Sequence, residues 1–227
     1  MSRNSDPTTL AFVVAWTYGV AIQHGVLRAD AFAVRASQEA VQIAQQAGNN
    51  HALSLAEQAL GVALLYRDAA DDRHRGLEVI VQVRDTLRER APFLVPVADL
   101  CVAREEARRC DRDAAIAVMR KAVDELHQAG RLGFFVFGTD ALVEALLDRG
   151  AEGDLAEAQE AIDRLANLPD DGSAMREITL LRLRALLSRA RGDNATYRDL
   201  VSSYRAMAKS LGFEGHIAWA EAMIEDR

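Results

Sequence analysis

The 227-residue chain has only two cysteines, four prolines and two lysines, and aromatic residues make up 6% of it. Two cysteines exclude a disulfide-stapled secreted scaffold, and the low proline and glycine content excludes collagen-like or proline-rich chains. No long hydrophobic run is present either. The longest, Leu10 to Ile22, is interrupted by Thr17, Tyr18 and Gly19, against the roughly 20 apolar residues a membrane span needs. Basic residues are outnumbered, 27 against 34 acidic, for a net charge of -7. That field repels nucleic acid and anionic lipid, so neither is expected as a direct partner. Arginine clusters such as Arg104, Arg108 and Arg109, or Arg182, Arg184, Arg189 and Arg191, have acidic neighbours and read as solvated helix faces. Asp6 and Pro7 precede the apolar run and no small-residue cleavage site follows it, which argues against a secretory signal. A cytoplasmic protein is expected. Cys101 and Cys110 are nine residues apart, opposite each other on a helix, so they form no mutual disulfide and suit a reducing compartment.

What is abundant is alanine, 41 residues, in a chain that is half hydrophobic. Alanine loses no side-chain entropy in a helix, and no segment alternates with period two long enough to read as a strand. Capping residues, prolines and glycines punctuate eleven helices. They cover about 8–25, 30–47, 51–67, 73–90, 93–110, 111–129, 134–149, 154–167, 174–191, 195–211 and 216–224, with Asp71-Asp72 read as a break. Alternate helices begin at intervals of roughly 40 residues, in the range of helical-repeat proteins. The clearest unit is Leu142, Ala145 and Leu146, then Gly153-Asp154-Leu155 with Ala158, Ile162 and Leu165, then Pro169. It resembles the tetratricopeptide pattern, and Leu60-Gly61 with Leu64 echoes its first-helix motif. The expected fold is all-α, a right-handed α-solenoid of about five antiparallel helical hairpins plus a short C-terminal capping helix. Residues 1–227 form one helical-repeat domain in this reading, with repeats at about 8–48, 50–90, 93–130, 133–168 and 173–211 and a cap at 213–225.

No reaction can be read from the residues. None of His24, His51, His74, His127 and His216 has a partner at metal-ligand spacing, so no metal is expected. Lys121 and Lys209 both lie inside expected helices, away from any phosphate-binding loop, and no nucleophile elbow occurs. The adjacent carboxylates Asp71-Asp72, Asp170-Asp171 and Glu105-Glu106 do not form acid/base pairs. No cofactor and no catalytic residue are expected. If first helices line the inner surface, residues there that escape the Ala/Leu seam are the binding candidates: His24, Gln58, Tyr66, Arg104, Arg108 and Asp140. Phe134 to Phe137 read as core packing of the seventh helix against the fifth or, alternatively, as an aromatic groove with Phe134 and Phe137 on a ligand. Trp219 with Phe213 reads as a seal on the last hairpin.

The first helix, with Phe12, Val13, Val14, Trp16, Tyr18, Val20 and Ile22, has almost no polar face. A terminal repeat normally shows a polar outer side. This one is expected either to dock on something upstream or to self-associate through Phe12, Val13, Trp16 and Val20, giving a homodimer of the isolated module.

Residues 19–25 and 28–40, with Leu60-Gly61-Val62-Ala63-Leu64-Leu65 and the closing Leu211 to Met223, resemble the C-terminal helical-repeat region of large actinobacterial signalling proteins. Those proteins join a class III adenylate or guanylate cyclase domain, or a LuxR-type DNA-binding domain, to an AAA-type ATPase and a tetratricopeptide-like tail. The resemblance implies a protein partner or an attached upstream domain, and no activity, because the family's catalytic motifs have no match in these residues. The function expected is a non-catalytic interaction or regulatory module. The alternative is a sensor of an apolar effector, held near Phe134 and Phe137.

Overall fold

A computed structural model of the chain describes residues 6–109, 112–169 and 172–225, and every regular element among them is helical. The chain divides into two compact units, Met1–Glu105 and Glu106–Arg227. Cys110 and Asp111, and with them the thiol geometry and the start expected for the sixth helix, lie outside the described residues, as do Asp170 and Asp171.

In the first unit, α1 (Pro7–Val14) runs through a π-helical turn (Ala15–Val20) into the short α2 (Ala21–Gln23). Then come α3 (Ala31–Gln46), α4 (Asn50–Leu65), α5 (Ala70–Arg90), a 3-10 turn (Pro92–Leu94) and α6 (Val95–Arg109), whose residues after Glu105 fall in the second unit. The starts follow from side-chain caps. Asp6, Asp30 and Asn49 accept the backbone N–H of Thr9, Ala33 and Ala52 at 2.9, 2.8 and 3.0 Å. Two local expectations change. The Asp71-Asp72 pair does not break the chain but sits in the first turn of α5, where acidic charge complements the helix dipole, and Asp72 holds Arg67 at 2.5 Å. The first helix is not uniform, since its middle widens into the π turn.

The centre of this unit is α4, which packs on α1, α3 and α5. Its face of Ala52, Ala56 and Ala59 is fully buried against Ala11, Val14, Ala40 and Ala44. The α4–α5 crossing is closer still. A Cβ at Gly76 would stand 2.8 Å from the Leu65 backbone nitrogen and 2.9 Å from the Gly61 carbonyl oxygen.

The second unit contains α7 (Arg112–Gln128), α8 (Leu132–Arg149), α9 (Asp154–Ala166), α10 (Ala174–Ala190), α11 (Asn194–Leu211) and α12 (Glu214–Glu225). Consecutive helices pack on each other, and α10 rests on both α8 and α9. Gly150 and Gly153, at φ of 63° and 90°, make the α8–α9 turn in a region that L side chains avoid. Asp154 locks that turn. Its carboxylate accepts the Ala151 N–H at 2.8 Å and two bonds from Arg149 at 3.0 and 2.6 Å, so its pKa lies below the usual carboxylate range, chiefly because of Arg149. Beyond the turn, Ala158, Ile162 and Leu165 form the fully buried seam of α9. A second core cluster joins Ile178 and Ala185 to Tyr197, Val201, Tyr204 and Ala208.

Gly76→Ala tests the α4–α5 crossing. Helix propensity alone predicts a gain of about 1 kcal/mol, whereas a methyl pressed into the backbone of α4 costs about 1–3 kcal/mol or more. The expected outcome in urea unfolding is net destabilisation; an unchanged or higher midpoint would show that the helices can part at no cost.

Candidate functional site

The candidate residues fall into two groups, one per unit. In the first unit, His24, Tyr66 and Arg104 lie where the ends of α2 and α4 meet α6. The Arg104 guanidinium stacks over the Tyr66 ring at 4.9 Å, and the Tyr66 hydroxyl donates to the Gln23 carbonyl at 3.5 Å. Buried Gln23 in turn donates from Nε2 to the Cys101 thiol at 3.0 Å. Burial pushes the Cys101 thiol up to about 11, so it stays protonated and inert near neutrality. Burial also lowers the pKa of His24 to about 4, which keeps the ring neutral. Gln58 is half-buried two turns earlier on α4.

In the second unit, Arg108 is exposed, Phe134 is half-buried, and Phe137 and Asp140 are buried. The neighbouring Phe135 is 1% exposed; it meets His127 of α7 at 4.8 Å and the Arg164 guanidinium of α9 at 5.6 Å. These contacts lie with the helices joined to α8 by short turns.

Asp140 belongs to a network that the sequence reading missed. Arg182 of α10, 6% exposed, donates to Asp140 at 2.5 Å and to Glu144 at 2.6 Å. Burial by itself disfavours the Arg182 charge; Asp140 and Glu144 hold the guanidinium charged, above its ordinary range. The face of the same guanidinium lies 5.1 Å from the Trp219 ring of α12. Trp219 therefore lies over a buried charge. Next to it, burial raises the Tyr204 pKa, so the phenol stays protonated, and its hydroxyl shares a hydrogen bond with His216 Nδ1 at 2.7 Å. The spacing of Asp140 and Glu144, four residues apart in the mostly apolar middle of α8, was the available signal. Its partner could not be read, because Arg182 lies 42 residues further along the chain.

A cleft of about 500 Å³ opens elsewhere in this unit, over α8 between α7 and α9. Val123, Leu142 and Ala161 contribute its apolar lining, and two ion pairs span it. Arg120 binds Glu157 through two bonds of 2.6 Å, and Arg164 binds Asp124 at 2.9 Å. Phe134 and Phe137 are not among its lining residues. Among the described residues no group of three or more His, Cys, Asp or Glu is placed to hold a metal ion, and no helix is long and apolar enough to cross a membrane.

The class is thus defined by architecture: an all-α protein of helices packed in adjacent pairs, fastened by buried ion pairs. Comparison with protein-family models, curated proteins and solved structures finds no match to the chain.

Two predictions follow from the buried charges. Arg182→Met leaves the buried Asp140 and the part-buried Glu144 uncompensated and should cost about 3–5 kcal/mol in urea unfolding. Adding Asp140→Asn and Glu144→Gln should recover at least half of that loss; no recovery would mean that the arginine acts through packing alone. For His24, the folded pKa of about 4 lies below the ordinary 6.5. Its unfolded form therefore binds a proton first, so stability is complete above pH 6.5 and falls as the pH drops towards 4. The loss attributable to this ring is at most about 3.4 kcal/mol, at 1.36 kcal/mol per pH unit. Unfolding at pH 7 and 4.5 should show a steeper loss in the wild type than in His24→Asn.

Proposed function

We propose that the chain is a tetratricopeptide-like helical-repeat module, a right-handed α-solenoid of about five hairpins with a capping helix. It works by binding a protein partner in a cytoplasmic bacterial signalling or regulatory system and carries no reaction of its own. The observation that supports this most is how third helices sit. In the first unit α4 lies on both α1 and α3; in the second, α10 lies on both α8 and α9. A helix seated on both members of the preceding hairpin is the contact by which hairpins stack into arrays. The charges deepest in the second unit are used to fasten α8 to α10, which suits a scaffold.

In this reading the faces carrying Tyr66 and Arg104 in one unit, and Arg108 in the other, meet the partner. A thermal-shift panel of small apolar and anionic effectors should then be flat. A partner found by cross-linking and rebuilt from purified components should slow amide exchange around Tyr66, Arg104 and Arg108. A saturable shift of several degrees with one effector, removed by a change at Phe134, would replace this reading with the effector sensor.

A further inference from the structure

We infer that two copies of this chain dock on each other through the face of the first helix that carries Phe12, Val13 and Trp16, with Phe32 of α3 at its margin. The inference rests on the reading of the chain as an interaction module and names one partner for it.

The first helix has two faces. Ala11, Val14, Gly19 and Ile22 are buried, and the π turn carries Gly19 against Ala59 of α4. The opposite face stays open, with Phe12 55%, Val13 53% and Trp16 55% exposed. The Phe12 and Trp16 rings lean on one another at 6.2 Å, four residues apart across the entry to the π turn. Tyr18, on the same turn, meets the ring of Phe32, which is 60% exposed. Val20 of this face is half-buried, so Phe32 takes the place expected for it. Among the described residues the other large exposed apolar side chains, Phe93, Val118 and Leu155, lie on other elements.

Area indicates the size of the partner. A fully covered aromatic side chain accounts for about 150–250 Å², so three half-exposed rings and Val13 offer roughly 400 Å². A standard interface takes about 800 Å² from each partner, of which roughly 56–65% is apolar, or about 450–520 Å². One face thus supplies most of the apolar half of such a contact, and an identical face completes it about a two-fold axis.

Charge indicates which partner. Residues 7–27 contain no Asp, Glu, Lys or Arg, in a chain of net charge -7. Two copies repel each other over most of their surface and meet without like-charge cost on this face. A strongly basic or acidic partner would find no counter-charge on it.

Sedimentation equilibrium of the full chain from 1 to 200 µM tests the pairing. The expected result is a two-chain complex, twice 24.9 kDa, which dissociates on dilution. Phe12→Asp with Trp16→Asp should weaken it at least about 100-fold, with helicity and Tm kept. The control pair Val118→Asp and Leu155→Asp should leave it intact. If the double variant does not fold, Phe32→Asp on α3 provides the same readout, with a weakening of at least about 10-fold. A single-chain mass across the range, an open series of larger species, or a dimer that survives both sets of changes would each overturn the inference. A single-chain mass together with a reconstituted complex that covers Tyr66 and Arg104 would reject the pairing and leave the module reading standing. An effector response would reject the module reading instead.

Discussion

Where α5 crosses α4, the backbone of Gly76 lies so close to Leu65 and Gly61 that a single methyl group has no room. Much of the architecture depends on that kind of contact. Helices that meet through glycine and alanine bring their backbones together and turn many small burials into one continuous seam. In the first unit the seam is Ala52, Ala56 and Ala59 against Ala11, Ala40 and Ala44. In the second, Ala185, Ala208 and Ala220 share one buried cluster with Tyr197 and Tyr204. Close approach also demands accurate alignment, which the capped starts of α1, α3 and α4 and the locked Asp154 turn provide.

A core built from such small side chains offers little room for charge, so the charged groups inside it need a compensating partner. Arg182 is held by two carboxylates from one face of α8 and is covered by Trp219. Glu105, 4% exposed at its side chain, faces Arg73 at 3.6 Å. Such pairs contribute little net stability compared with apolar packing, yet removing one partner costs a great deal. They tie α8 to α10 and α5 to α6.

The first helix departs from that economy. It is apolar on both sides, and only one side finds cover within its own unit. The π turn at its centre belongs to a class of irregularity often found at functional sites. It brings Trp16 and Tyr18 onto one short segment beside Phe32. An apolar face of this size without charge is costly to leave in water, and this is the physical basis for assigning it a partner.

Much of the local structure was legible in the chain. Asp6-Pro7 and Asp30 mark helix starts, and Gly48, Gly150 and Gly153 mark helix ends and turns, because caps and left-handed glycines act over three or four residues. The exceptions were short-range competitions, such as Asp71-Asp72 serving as a helix start and not as a break. Candidate residues fared differently. Tyr66 and Arg104 come together, and His24 stands one residue from the Gln23 carbonyl that Tyr66 reaches. Asp140 proved to be one arm of an ion-pair network. Sequence by itself determined the all-helical composition and most helix boundaries, since both arise from backbone preferences and neighbours a turn away. Tertiary structure alone decided that Arg182 would be enclosed by Asp140 and Glu144, that Phe135 would be covered, and that Phe12 and Trp16 would not. Those outcomes depend on which helix faces meet, and the faces are chosen by contacts between residues some 30 to 80 positions apart.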